Sequence, residues 1–582
     1  MNYKTLKILF LSLVATASMS TNAQITETAT EAVQNMGVGW NLGNTLDANG
    51  QSVTDATKDN YWGGQGIDSE TYWGQPVTTP AVFTLMKNAG FGAIRIPVTW
   101  YNHMDKTGTV KAEWMKRVHE VVDYAISNGL YVILNVHHDT GADSNTFKSW
   151  IKADESNYNT NKTRYEYLWK QIAEEFKEYD HHLLFEGYNE MLDTKSSWCF
   201  ASFNSTNSYN AALATSAYNG INNYAQSFVN TVRATGGNNA SRNLVVCTYA
   251  AANGDGTWNS HLQDPLKNMA LPNDAVKDHI IFEVHTYPSL TTTSSSGTVS
   301  NRTISDIRKD IDRNISYLKS YLTSKGAPVI FGEWGTSNVD AGAGKTDYDA
   351  RRELMLQFAE YFVKATKKNG IGTFYWMGLS DGLYRNLGAF SQPDLAECLV
   401  KAYYGDDFEG VYPDLHSMNR ITCFEGAKTL NWGAGITIPA SMINSIGPDV
   451  QLELEYKQLN SSDIMQFYLA DWSEKITFSI GTRSYSEQFS PHSLYGYGTA
   501  TRTTIITLPH ATFAKAAQKG ILIHGIGISI AKATLINPNA TAIHSITEYP
   551  STDNTIYNLN GQRISKPSHG LYIQGGKKYL AK

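Results

Sequence analysis

Gly92-Ala-Ile-Arg-Ile-Pro97 is followed by Trp114, Val118, Val121, Val122, Ala125 and Ile126 at helical spacing, then by Gly129 and the apolar run Tyr131-Val-Ile-Leu-Asn-Val136. Two short apolar runs joined by an amphipathic helix read as neighbouring parallel strands with a crossover. The unit recurs along the chain. Further strand candidates are Met36–Asn41, Leu183–Tyr188, Leu244–Thr248, Ile280–His285, Val329–Glu333 and Thr373–Met377. Leu168, Ile172 and Phe176 mark one intervening helix, and Ile304, Ile307, Ile311, Ile315 and Leu318 another. Eight β-then-α units predict an α/β fold, a (β/α)8 TIM barrel. The rival, a doubly wound open sheet, lacks the Gly-x-Gly-x-x-Gly turn after its first strand.

Beyond Tyr404 the pattern changes. Strand-like alternation appears in Gln451–Tyr456, Ile476–Ile480, Thr503–Leu508, Ile521–Ile523 and Ile528–Leu535, separated by turn residues, and helical periodicity nearly disappears. This predicts a C-terminal antiparallel β-sandwich. The expected organisation is a signal peptide over 1–23, a barrel domain over 24–405, a β-sandwich over 406–545, and a linker with a terminal tail over 546–582. The Thr/Ser run 291–300 and the Asn/Ser-rich stretch 201–210 read as loops.

The signal-peptide reading rests on Lys4 and Lys7, the apolar run Ile8 to Val14, and the small residues Thr21-Asn22-Ala23 before Gln24. That run is too short to span a bilayer, which takes ~20 apolar residues. The expected location is outside the cell or on its surface, with no membrane-spanning segment. The tail carries Ile556-Tyr-Asn-Leu-Asn-Gly-Gln-Arg563, then Gly570-Leu-Tyr-Ile573 and Lys577-Lys578. It resembles the C-terminal tails of secreted Bacteroidetes proteins, some of which engage type IX secretion machinery; the plainer reading is a terminal hairpin.

Composition narrows the classes of function. The 582 residues carry a net charge of -6, which becomes -8 once Lys4 and Lys7 leave with the leader. No long basic run is present, so nucleic acid is not an expected partner. Cys199, Cys247, Cys398 and Cys423 contain no Cys-x-x-Cys, which excludes a thiolate zinc site and a dense disulfide scaffold and leaves room for one distant pair. Aromatics reach 12%, including 13 Trp and 34 Tyr, more than a core needs, and flat aromatic faces suit sugar rings.

In a barrel of this kind the reacting groups stand where strands run into the loops that follow them. Those positions are polar here: Asn41, Arg95, His137-His138-Asp139, Asn189-Glu190, His285 with Tyr287, Glu333 and Trp376. Glu190 and Glu333 each follow an apolar strand, Leu183-Leu-Phe-Glu-Gly-Tyr-Asn-Glu190 and Val329-Ile-Phe-Gly-Glu333. A barrel brings the two ends to opposite sides of one mouth. Facing carboxylates suit glycosidic cleavage, one giving a proton to the leaving oxygen while the other attacks or activates water. At ~5–5.5 Å the second is a nucleophile and configuration is retained. Either Glu alone would more ordinarily sit in an ion pair or a cap. Glu186 and Glu283 share strand parity with Glu190 and His285 and should lie a layer deeper, satisfied by Arg95 or the histidines. A metal on His137-His138-Asp139 is not expected, because adjacent strand residues diverge. His119, His181 and His182 read as ordinary helix or surface residues. Gly37, Gly39 and Gly43 fit a tight first strand end, with Asn41 turned toward the cleft.

Five motifs in order carry a resemblance: Met36-Gly-Val-Gly-Trp-Asn-Leu-Gly-Asn-Thr-Leu-Asp47, Asn135-Val-His-His-Asp139, Tyr188-Asn-Glu190, Val284-His-Thr-Tyr287 and Phe331-Gly-Glu-Trp-Gly335. Over roughly residues 36–380 the chain resembles glycoside hydrolase family 5 cellulases. The resemblance implies a retaining endo-β-1,4-glucanase, with Glu190 as acid/base and Glu333 as nucleophile. It further implies that Arg95, His138, Asn189, His285, Tyr287 and Trp376 stand at the family's other active-site positions, with His137 and Asn41 beside them. The family usually has Pro after Asn-Glu, whereas Met191 stands here, which leaves the glucan open. The implied partner is a β-glucan polysaccharide. No cofactor is required, since two carboxylates complete the proton and covalent work. Xyloglucan, mixed-linkage glucan and mannan are alternative substrates. Readings of another class are a glycan-binding protein that kept the barrel without catalysis, and an adhesin resting on the C-terminal half. Trp40, Trp62, Trp73 and Trp100 could extend sugar stacking or fill the core, and Trp432, Trp472, Tyr495 and Tyr497 could make the β-domain carbohydrate-binding.

Overall fold

The apolar runs become eight parallel strands, β1 (Val38–Asn41), β2 (Ala93–Ile96), β3 (Tyr131–Asn135), β4 (Leu183–Glu186), β5 (Leu244–Cys247), β6 (Ile280–Thr286), β7 (Val329–Trp334) and β8 (Gly372–Tyr375). Each pairs with its neighbour in sequence, and β1 also pairs with β8 from Val38↔Thr373 to Trp40↔Tyr375, so the sheet closes into a barrel. This computed structural model describes residues 25–49, 62–143, 149–203, 208–336, 345–414, 418–446, 450–481, 483–498 and 500–541, and the backbone of four strands between 556 and 581. The expected signal peptide and the linker around Pro550 lie outside the described residues.

Helices cover the outer face as the spacing predicts. Ala112–Ser127 buries Trp114, Val118, Val121, Val122 and Ala125, and Ile304–Tyr321 buries Ile307, Ile311, Ile315 and Leu318. Ala93, Ile133, Leu184, Val245, Ile281, Ile330 and Phe374 fill the lower barrel. The helix Ala29–Asn35 closes the floor with Ala29 and Val33. A capping box starts it: Glu31 N donates to Thr28 Oγ1, and Thr28 N donates to Glu31 Oε2.

After the helix Pro393–Tyr404 come two antiparallel sheets. Their strands are β9 (Met418–Thr429), β10 (Ile436–Ile438), β11 (Gln451–Gln458), β12 (Ile464–Leu469), β13 (Phe478–Ile480), β14 (Arg483–Tyr485), β15 (Gln488–Phe489), β16 (Thr501–Thr507), β17 (Ile521–Ile526) and β18 (Ile528–Thr541). One sheet runs β9-β18-β11-β16-β13-β14 and the other β10-β17-β12-β15. Leu452, Leu454 and Tyr456 of the first meet Met465, Phe467, Ile521 and Ile523 of the second in one core, so the domain is a sandwich. Ile505 and Ile536, on the outer face of the six-stranded sheet, pack against Leu387 and Ala389 of the barrel domain.

Four expectations need correction. The sandwich holds more helix than its nearly absent helical period suggested: Ala440–Ile446, Pro491–Tyr495 and His510–Lys519 are helical, and the last buries only Thr512, Ala516 and Ala517, residues too small to write a clear apolar period. The Thr/Ser run is not a plain loop, because Thr291–Thr293 and Val299–Asn301 pair antiparallel. In the tail, Ile556–Asn558, Arg563–Ile564, Gly570–Gln574 and Lys577–Ala581 pair as a four-stranded antiparallel sheet, more than a hairpin. All four cysteines are free thiols, so the distant pair does not form. Among the described residues no helix is long and apolar enough to cross a membrane.

Candidate active site

Arg95 on β2 sits fully buried under the barrel mouth, and its five N–H donors are all used inside the protein. Nε and Nη2 reach Glu186 at 2.6 and 2.8 Å, Nη2 reaches Asn189 Oδ1 at 2.8 Å, and Nη1 reaches Asn41 Oδ1 at 3.0 Å and Glu333 Oε1 at 2.8 Å. Glu283 adds a second carboxylate, 3.3 Å from Nε. Glu186 and Glu283 therefore hold the deeper layer that strand parity assigns them. An unpaired ion in this interior would cost several kcal/mol, roughly, and the fork geometry removes that cost for several groups at once.

Asn41 is fully buried. Its amide donates to Gly332 O at 2.9 Å and Phe374 O at 3.2 Å. The expectation that it turns toward the cleft is corrected: like Arg95, it positions other groups from below. Period-two parity tells inside from outside, but not the depth of a layer.

Glu333 owes its aim to an irregularity in β7. Val284 pairs with Phe331, and the next residue, His285, pairs with Glu333, so Gly332 is an extra residue in the ladder. A Cβ at Gly332 would lie 1.4 Å from Glu283 Oε1, so only glycine fits beside that carboxylate. The bulge lets Glu333 meet Arg95 on one oxygen and accept from Tyr287 Oη at 2.7 Å on the other. Burial alone would raise its pKa. The charges of His285 and Arg95 and the hydrogen bonds from Tyr287 and Arg95 outweigh burial and hold Glu333 below the usual carboxylate value.

Glu190 lies four residues past the end of β4, since the strand stops at Glu186 and not at Tyr188. His285 Nδ1 stands 2.9 Å from Glu190 Oε1 and 3.6 Å from Glu333 Oε2, while its Nε2 faces Glu283 at 3.3 Å. Burial pushes the Glu190 carboxyl up, and the negative Glu333 adds to this, against the lowering influence of His285 and Arg95. Burial would lower His285, but Glu333, Glu190 and Glu283 prevail and push it up to about 10. One carboxylate oxygen of Glu190 lies within 4.8 Å of one of Glu333. The pair is thus one acid inclined to stay protonated facing one inclined to stay ionised.

The remaining positions frame this pair. Asn189 gives its oxygen to Arg95, which leaves its NH2 to donate; that group lies 3.4 Å from His137 Nε2. Trp376 is half-buried and stacks parallel to His137, with ring centroids 6.0 Å apart. Its indole occupies the space a Cβ at Gly43 would need, 2.8 Å away, which explains that glycine. His137 and His138 do not diverge as expected. β3 ends at Asn135, so both lie beyond the pleat, with rings 4.5 Å apart. Burial keeps both neutral, lowering His138 to about 4.

Sequence reading passed over Asp47, which is buried, accepts from Asn44 N and Thr45 N at 3.1 and 2.8 Å, and lies 3.8 Å from His138. An acid six residues beyond the strand-end Asn41, closing a turn on Asn44 and Thr45, was the available signal. Trp73 comes to 5.2 Å from His138, whereas Trp40 and Trp100 are core. Asp47, His137 and His138 bring ligand-type atoms within 4.8 Å of one another, as do Glu190, His285 and Glu333. In the second group both ring nitrogens of His285 face carboxylates, which suits a proton on each and leaves no lone pair for a metal.

Comparison with known proteins identifies the family of the barrel. The family described as Cellulase (glycosyl hydrolase family 5) matches residues 46–381. Endoglucanase A of Clostridium longisporum is 37% identical over 379 residues, 63% of this chain and 63% of its own length. Endoglucanase B of Neocallimastix patriciarum is 34% identical over 401 residues, 68% of this chain and 74% of its own. Among solved structures, a GH5-4 broad specificity endoglucanase from an uncultured bacterium shares 59% identity over 66% of this chain and 97% of its own, with a TM-score of 0.59. A family 5 enzyme of Prevotella bryantii, solved with a xyloglucan tetradecasaccharide, shares 41% identity over 65% of this chain and 99% of its own, with a TM-score of 0.55. The chain belongs to glycosyl hydrolase family 5, and its barrel is that of a cellulase-type glycoside hydrolase.

Proposed function

We propose that the protein is an exported endo-β-1,4-glucanase that works by retaining double displacement. The observation that carries this reading is the closeness of Glu190 and Glu333, with one carboxylate oxygen of each within 4.8 Å of the other. Inverting enzymes need ~6.5–9.5 Å between carboxyl groups to admit a water, and retaining ones only ~5–5.5 Å.

Glu333 attacks the anomeric carbon as Glu190 protonates the departing oxygen, which forms a glycosyl ester on Glu333. Esterification removes the negative charge that helps raise Glu190. Glu190 then takes a proton from water as that water breaks the ester. Asn189 NH2, which keeps a hydrogen beyond its 3.4 Å contact with His137 Nε2, donates to the sugar 2-hydroxyl, and Trp376 offers a stacking face. Tyr287 and Arg95 orient the Glu333 carboxylate for attack and stabilise its charge whenever it is free.

The substrate range is broader than plain cellulose in this reading, and xyloglucan is included. Its support is the likeness to the broad specificity endoglucanase and to the xyloglucan-bound Prevotella enzyme. Export rests on the leader-like first 23 residues, and sorting through the tail rests on its resemblance alone. The test is hydrolysis of carboxymethylcellulose, xyloglucan, mixed-linkage glucan and mannan, with the anomer first released read by NMR. Release of the β-anomer supports retention, and the α-anomer refutes it. Glu333→Ala should abolish reducing-end release while polymer binding stays measurable, and unchanged turnover would refute its role.

A further inference from the structure

The outer face of the four-stranded sheet carries a second aromatic surface. Along β12, Met465, Phe467 and Leu469 enter the sandwich core, so Gln466 and Tyr468 point outward. Register with β17 sets Gln466 against His524 and Tyr468 against Leu522, which continues that row on the neighbouring strand. Two separate turns fold indoles over it. Trp432 stands in the turn closed by the Asn431–Ala434 bridge between β9 and β10, and Trp472 in the turn after β12. Both approach the same imidazole, with Trp432 at 5.7 Å and Trp472 at 4.8 Å from His524, and Tyr468 lies 5.4 Å from Trp472. The indoles nevertheless remain 47% and 52% exposed.

Further observations separate this surface from scattered tryptophans. Trp472 has φ +64°, a left-handed backbone that a bulky residue adopts only at a cost. Its turn is fixed by Trp472 N donating to Leu469 O at 2.8 Å and Ser473 N donating to Asp471 Oδ1 at 3.0 Å. Beside the rings, Gln466 and Gln488 join their side-chain amides. Trp432 and Trp472 stand steeply to the His524 ring, at 75° and 69°, and Tyr468 is tilted 47° to Trp472, so the patch offers separate exposed ring faces; each matches the apolar C–H face of a pyranose, and the amides at the border suit its hydroxyls.

Its placement defines its role. The six-stranded sheet faces the barrel through Ile505 and Ile536, so the aromatic face of the other sheet turns away from the barrel and cannot continue the cleft. We propose that Trp432, Trp472 and Tyr468 form a separate platform that binds a single β-glucan chain, the polymer class cut in the barrel. The identity of that polymer rests on the substrate reading above; the platform does not. A second engaged site raises effective concentration on a long polymer and adds nothing on an oligosaccharide too short to reach both.

The test is native electrophoresis of the full chain through gels containing hydroxyethylcellulose or xyloglucan, with Glu333→Gln present throughout so that the gel is not digested. Trp432→Ala/Trp472→Ala should weaken retardation by about tenfold or more in at least one gel. Trp432→Phe/Trp472→Phe should keep most of it, and melting temperatures taken alongside report folding. Equal retardation with and without the indoles overturns the proposal. So does a double variant whose only change is loss of a dimer on size-exclusion chromatography, which would make the patch a self-association face. Indole-dependent retardation, alongside a wild-type enzyme that cuts neither polymer, would support the platform while sinking the catalytic reading.

Discussion

Tyr287 donates its phenolic hydrogen to Glu333 Oε2 at 2.7 Å, on the oxygen that Arg95 leaves open. This bond favours the ionised carboxylate, weakens once Glu333 carries a sugar, and strengthens again as water breaks the ester and the carboxylate departs, so it speeds that second step. A hydrogen bond to a charged group contributes about 1.5–3 kcal/mol. Tyr287→Phe should therefore lower kcat by roughly 10- to 100-fold, and Glu333 should titrate higher. The acid limb of the pH–rate profile would move to higher pH. An unmoved limb would show that the hydroxyl does not tune the nucleophile.

The two carboxyls set the whole pH profile in opposite directions. Glu333 must be ionised and is held below its ordinary pKa, so activity persists in mild acid and is lost as pH falls through that lowered value. Glu190 must be protonated and is raised, so activity is lost as pH rises through the raised value. The profile of kcat/KM should be a bell displaced toward neutrality on its alkaline side. Glu190→Gln should erase the alkaline limb. It should spare the first step only for an aryl glycoside whose leaving group needs no proton. A retained alkaline limb in that variant would assign it to another group, such as His285.

Most of the barrel was legible because buried parallel strands are uninterrupted apolar runs, and Tyr131 to Val136 or Leu244 to Thr248 can hardly be read otherwise. The pairing of Glu190 with Glu333 followed from topology alone. Depth was not legible: Asn41 and Arg95 sit at strand ends like His138, yet lie a layer lower with every donor engaged. Nor was the convergence of His137 and His138, which depends on where β3 stops. Gly332 did carry a signal, since a glycine inside a strand marks a bulge or a close approach. Only coordinates name Glu283 as the neighbour that demands it.

Arg95 is the one cation touching Glu186, Glu283 and Glu333 among the described ion pairs at the mouth that do not depend on a histidine. Arg95→Met would leave these carboxylates facing each other in a dry interior. Breaking a buried pair costs about 3–5 kcal/mol, and here more than one pair is lost. The variant should unfold at clearly lower denaturant concentration as well as lose activity. Arg95→Lys should recover little of either, because a point charge cannot reproduce five directed donors. Wild-type stability in Arg95→Met would contradict the interior charge network described above.

Gly332→Ala tests whether the bulge, and not the mere presence of a carboxyl, makes Glu333 effective. The added methyl would fall 1.4 Å from Glu283 Oε1, so either that carboxylate or β7 must move. Overpacking of this kind costs about 1–3 kcal/mol, small enough for the protein to fold. Flattening the bulge would shift Glu333 relative to Tyr287 and Arg95, and a displacement near ~1 Å at a reacting group is enough for a ~100-fold loss of rate. Trp376 and Asn189 follow other strands and should still hold substrate. The expected signature is a kcat reduced by about two orders of magnitude with KM little changed. A variant whose KM rises while kcat holds would mean that Gly332 serves substrate binding, and the account of how β7 aims its glutamate would have to be withdrawn.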